Sequence, residues 1–121
     1  MKTRQHAKQL RRVQRSRATI FGTSKKPRLS VKRSNEHIEG QIIDDAAGKT
    51  LCACHDREVG VQKATKEMSR KVAIAYAAGK RLAEKAKKNG ISAVVFDRRG
   101  SRFHGRIKSF AQGARDGGLT F

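Results

Sequence analysis

The apolar positions of this chain first become regular at Arg28, where they recur every second residue. In RLSVKR (28–33), Leu29 and Val31 share a face with Arg33, and Arg28, Ser30 and Lys32 share the other. Ser34-Asn35-Glu36 reads as a turn. In HIEGQIID, Ile38, Gly40 and Ile42 again face one way, and Asp44-Asp45-Ala46-Ala47-Gly48 turns the chain once more. KTLCACH is a third short strand. Strands separated by short turns predict an antiparallel meander.

The period then changes to 3.6. Met68, Val72, Ala75, Gly79, Leu82 and Ala86 recur at three- and four-residue steps, which predicts one long helix over 64–89 with Asn89-Gly90 as its stop. ISAVVFD is apolar on both faces, the signature of a buried parallel strand. A second helix over about 104–116 gathers Ile107, Phe110, Ala111 and Ala114 on one side and stops at Gly117-Gly118. Ahead of all this, residues 1–18 are helix-compatible, but Leu10 and Val13 are nearly their only large apolar positions. Such a segment buries too little to hold itself, and its like charges repel, so a mobile arm or a helix that orders on a partner is expected. The proline-bearing stretch 22–27 links it to the body. The expected organisation is an arm and linker over 1–26 and a globular α/β domain over 27–121.

Topology follows from the element order. The long helix must cross over for the fourth strand to join the sheet, and such crossovers place it parallel to a neighbour. If that neighbour is the first strand, Arg33-Ser34-Asn35 sits beside Asp97-Arg98-Arg99, at the strand ends where open α/β sheets bind ligands.

Charge narrows the partner. The chain has 29 Lys plus Arg against 10 Asp plus Glu, a formal charge of +19. Residues 1–35 hold 12 of the basic side chains and no acidic one. A charge so far from zero points to a large polyanion, nucleic acid first. No apolar stretch approaches the ~20 residues of a membrane span. No apolar core follows the N-terminal charges, against a secretory signal, although an acid-free, Arg-rich start also suits an organelle transit peptide. Two cysteines make no disulfide framework and fit a reducing compartment.

Catalytic and metal readings are weaker. Gly100 and Gly105 have P-loop spacing, but Arg106 and Ile107 stand where such a loop needs Lys and Ser/Thr. Asp44, Asp45 and Asp97 suggest a Mg²⁺-dependent nuclease; turn chemistry and strand-end hydrogen bonding explain them more simply. Cys52-Ala53-Cys54-His55 lacks the four ligands of a structural zinc site, since His6, His37 and His104 form no pair in sequence. Cys52 and Cys54 read as small apolar residues on one strand face. No metal, cofactor or catalytic residue is therefore expected. Arginines offer forked donors to phosphate, and Phe103 offers a face for an unpaired base. No helix-turn-helix, zinc finger or aromatic-paired strand is visible, so a shape-reading RNA binder fits best. A non-specific cationic packager of nucleic acid is the simpler rival.

Four blocks in order, KPRLSVKRSNEHI, QIIDDAAGKTL, VFDRRGSRFHGRI and the ending ARDGGLTF, resemble the bacterial large-subunit ribosomal protein L-eighteen family, and the likeness covers essentially the whole chain. The resemblance implies a three-layer α/β sandwich with a mixed sheet, a three-strand antiparallel meander plus one parallel strand, in ribonuclease-H-like topology without its catalysis. It implies a non-enzymatic cytoplasmic ribosomal protein, monomeric within the ribosome. Its partners would be 5S rRNA, 23S rRNA and neighbouring proteins of the central protuberance, with no membrane and no small-molecule substrate. Carried over residue by residue, the family's RNA surface falls on Arg4, Lys8, Arg11, Arg12, Arg15 and Arg17 in the arm. It continues on Arg28, Ser30, Arg33, Ser34, Asn35 and His37, and on Arg98, Arg99, Gly100, Ser101, Arg102, Phe103, His104 and Arg106. Three positions depart from the family pattern: Glu39 where an aromatic is common, Arg99 where a small residue precedes the glycine, and Ser101 where an aromatic is common.

Overall fold

The computed structural model describes residues 20–60, 69–99 and 102–121. The expected arm and its six cationic candidates, Met68, Gly100 and Ser101 lie outside them. The order of elements is β1 (Arg28–Arg33), β2 (Ile38–Asp44), β3 (Lys49–His55), a 3₁₀ turn (Asp56–Glu58), α1 (Arg70–Lys88), β4 (Val95–Asp97) and α2 (Gly105–Asp116). The sheet order is β3-β2-β1-β4. β1 and β2, and β2 and β3, pair antiparallel, while β4 runs parallel to β1 with Ser30 opposite Asp97. The mixed sheet is the one the period changes predict.

Alternation sorts the sheet into two faces. Leu29, Val31, Ile38 and Ile42 are all but fully buried against Ala75, Ala78, Leu82, Ala83 and Ala86 of α1 and Ile107, Phe110 and Ala114 of α2. Each fully buried large aliphatic or aromatic side chain contributes about 1.5–3 kcal/mol of transfer free energy. Both helices share this face. A Cβ on Gly40 of β2 would stand 2.4 Å from the Phe110 ring and 2.9 Å from Leu82. The described residues thus form two layers, the sheet and a helix pair. The two helices touch almost backbone to backbone. A Cβ on Gly79 would lie 2.0 Å from the Phe110 carbonyl oxygen, and one on Gly113 would lie 2.1 Å from that of Tyr76.

Two boundaries differ from the pattern. The long helix begins at Arg70, because Ser69 is extended and its hydroxyl accepts the Val72 N–H, an N-cap that the apolar stripe does not register. The apolar run 91–97 is a strand only over its last three residues. Its first part pairs instead with the C-terminal tail, Val94 N–H donating to Thr120 and Thr120 N–H to Ser92, which buries Leu119. A run apolar on both faces records burial, and burial alone does not say which backbone it pairs with. Cys54 is buried and Cys52 packs half-buried against the core, as expected of small apolar residues.

Candidate nucleic-acid interface

Parallel pairing of β4 with β1 sends both chains out of the same end of the sheet. The turn after β1 and the loop after β4 therefore lie together, and one hydrogen bond joins them: Arg106 at the start of α2 donates to the Ser34 carbonyl at 2.7 Å. Lys71 of α1 donates to the Asn35 carbonyl at 2.8 Å. Inside the turn, Ser34 N–H donates to the His37 carbonyl, and His37 N–H donates to the Ser34 hydroxyl. Asp56, past the end of β3, accepts the Ile38 N–H at 3.1 Å and faces the His37 ring. Three other parts of the chain thus fix this four-residue turn.

The charges of this end are cationic. Arg106 is nearly buried, and burial pulls its guanidinium below the usual value; the like charge of Arg33 adds to this, with Asp56 opposing. Two guanidinium groups held near each other repel until something negative lies between or across them. Arg33, Arg98 and Arg102 are exposed, as are Asn35 and His104, and Phe103 is 39% exposed. Phe103 meets Phe96 edge to face at 5.7 Å, Phe96 stacks on the C-terminal Phe121, and the Arg115 guanidinium lies 4.5 Å from the centre of that ring. The exposed ring therefore stands on a stacked support, which holds its orientation.

Arg28 and Ser30 play a different part. Ser30 is buried in the middle of β1. Arg28 directs its fork inward, to both oxygens of Asp45 at 3.0 Å and to Asp97 at 2.8 Å. The Asp45 bonds, and then those to Asp97, raise its affinity for the proton against the cost of burial. Asp45 also accepts the Gly22 N–H, which ties the linker to the sheet. Asp97, with no exposure at all, accepts the Arg99 N–H at 2.8 Å, and Asp44 accepts from Ala46 and Ala47. The three carboxylates that suggest a nuclease are thus occupied by arginine and backbone donors. Arg99 has φ +54°, a left-handed conformation that costs an L-residue roughly 1–2 kcal/mol. Only glycine there would relieve that strain, and the Asp97 bond holds the turn closed despite it.

The linear sequence misses one grouping. His37 and His55 are 18 positions apart and look unpaired, yet the β2–β3 hairpin brings their rings to 5.1 Å on either side of Asp56. The only signal for it was the meander itself, which returns the end of β3 to the start of β2.

Scaffold and surface together define a class: a small α/β protein whose carboxylates brace the frame and whose sheet-end loops carry exposed arginines. Among the described residues no helix is long and apolar enough to cross a membrane. The sequence pattern of the family described as ribosomal L18 of archaea, bacteria, mitochondria and chloroplast matches residues 2–121. The chain is 46% identical to the large ribosomal subunit protein uL18 of a Synechococcus over 121 residues, the full length of both. Identity to the protein of that name from Clostridium botulinum is 50% over 113 residues, 92% of this chain and 90% of the relative. For that of Chloroherpeton thalassium it is 49% over 107 residues, 88% of each. The chain belongs to the ribosomal L18 family and is a structural constituent of the large ribosomal subunit.

Proposed function

We propose that the chain binds 5S rRNA and helps attach it to 23S rRNA in the central protuberance, in the cytoplasm, beside other proteins of that region. The observation that carries this reading is the joint of two loops, where the nearly buried Arg106 is fixed to the Ser34 carbonyl, next in the chain to the exposed Arg33. In this reading Arg33, Ser34, Asn35, Arg98 and Arg102 contact the RNA, with Gly100 and Ser101 completing the loop. Phe103 stacks on an unpaired base. Arg106 reaches phosphate while shaping the turn, Arg28 and Ser30 frame the strand, and Arg4, Lys8, Arg11, Arg12, Arg15 and Arg17 extend the surface along the RNA. No residue acts as a catalyst.

The test compares affinity for 5S rRNA, an unrelated folded RNA and a duplex DNA of similar length, from roughly 50 to 300 mM salt. Each titration is run with the full chain and with a chain lacking residues 1–26. A preference for 5S rRNA that survives high salt is expected. Equal affinities that collapse together with salt would reduce the interaction to charge alone and overturn the proposal.

A further inference from the structure

Beside the Ser34–His37 turn lies a second grouping, which shares only His37 with the expected RNA surface. His37, His55 and Asp56 each present one donor atom, and the three atoms lie within 4.8 Å of one another. His37 Nδ1 is 3.1 Å from Asp56 Oδ1, and His55 Nδ1 is 2.9 Å from the same oxygen. We propose that these three side chains bind a borderline first-row divalent cation such as Zn²⁺, with solvent completing the coordination.

The donor chemistry selects the ion. Two imidazoles and a carboxylate suit Zn²⁺, Co²⁺ or Ni²⁺, whereas Mg²⁺ and Ca²⁺ prefer oxygen alone. Asp56 is held as a ligand should be. Its side chain is nearly buried, and Oδ2 is fixed by the Ile38 N–H at 3.1 Å, leaving Oδ1 toward both rings. His55 Nδ1 also lies 3.1 Å from the Arg57 N–H, and a metal ion taking that lone pair would leave the exposed Arg57 N–H to water. His37 and His55 line one recess of about 220 Å³ together with Lys32, Ser34, Ile38 and Glu39, which lets solvent reach both rings. An ion here ties the β1–β2 turn to the end of β3, next to Arg33.

The experiment titrates the metal-free full chain, without RNA, with Zn²⁺ by calorimetry and with Co²⁺ by visible absorption. One equivalent should bind saturably, and the Co²⁺ spectrum should lack thiolate charge transfer. His37→Ala and His55→Ala should each weaken binding by more than about tenfold, the loss that even outer-shell partners can cause. Cys52→Ala/Cys54→Ala and His6→Ala/His104→Ala should leave affinity unchanged. Circular dichroism checks each variant's fold, and His37→Ala, at a half-buried turn position, decides the matter if His55→Ala is unfolded. No saturable binding, an affinity indifferent to His37, or dependence on the cysteines or on His6 and His104 would overturn the site. None of these readouts involves RNA, so the outcome is independent of the 5S rRNA proposal.

Discussion

Gly79→Ala sets helix propensity against packing, and the two predict opposite signs. Gly79 lies inside α1, where replacing glycine by alanine in an exposed helix gains about 1 kcal/mol. Here the new methyl would sit 2.0 Å from the Phe110 carbonyl oxygen and 2.9 Å from its carbonyl carbon. These are backbone atoms, which cannot rotate aside as a side-chain tip does. Contacts below about 3 Å are not tolerated, so α1 and α2 must part by about 1 Å. A gap of that size forfeits about a quarter to a half of the dispersion energy of each facing contact, and overpacking costs about 1–3 kcal/mol. With the cost at its upper end, the net loss is about 2 kcal/mol. For a domain of this size that lowers the melting temperature by roughly 8–16 °C. The change also reaches the interface, because α2 carries Arg106, whose bond to Ser34 shapes the turn. Urea unfolding followed by circular dichroism measures the stability, and 5S rRNA titration measures the consequence. A Gly79→Ala variant that melts at or above the parent temperature would refute the close-crossing argument.

Asp97→Asn should cost about 1.5–3 kcal/mol, since the amide loses the charge that Arg28 and the Arg99 N–H engage in a fully buried place. Its urea midpoint should fall with an unchanged slope, and neither form should cleave RNA in Mg²⁺; cleavage abolished by this substitution would restore the nuclease reading. Arg33→Ala should weaken 5S rRNA binding and reduce the slope of log affinity on log salt by about one, whereas Lys87→Ala, away from the turn on α1, should change little. Equal losses from both would mean a diffuse charge effect. Cys54 is pushed up to about 12 from an ordinary 9.0, first by burial and then by the charge of Glu58. The folded chain therefore holds a proton that the unfolded chain releases, so the Cys54 contribution to stability is whole below pH 9 and is lost as pH rises toward about 12. Cys54→Ala should flatten that alkaline fall, and native Cys54 should resist alkylation at neutral pH; ready alkylation would contradict the burial.

Tertiary structure chose β1 as the neighbour that β4 joins, so that the Arg33 turn meets the Arg98 loop. The sequence by itself determined the element order, the meander and a parallel neighbour for β4. These follow from period, turn chemistry and the handedness of crossovers, all local or nearly so. It also determined the polyanionic partner, because net charge does not depend on how the chain folds. Tertiary structure alone decided which charged groups remain outward. Arg28 and Arg33 are both arginines of one strand, yet Arg28, on the face away from Leu29 and Val31, is held by Asp45 and Asp97, while Arg33 is left exposed at the open end. No pattern along the chain shows that the carboxylates at 45 and 97 are already occupied, since their partner's identity depends on the β1–β4 pairing. The same holds for the end of the apolar run 91–97, which the C-terminal tail claims, and for Ser69, whose cap is written in one hydroxyl rather than in a period. His37, His55 and Asp56 show the division most plainly. Their side chains are ordinary in sequence, and only the return of β3 along β2 brings two rings and a carboxylate to one point. Spacing along a chain encodes neighbours within an element; proximity between elements is set by burial of the shared core.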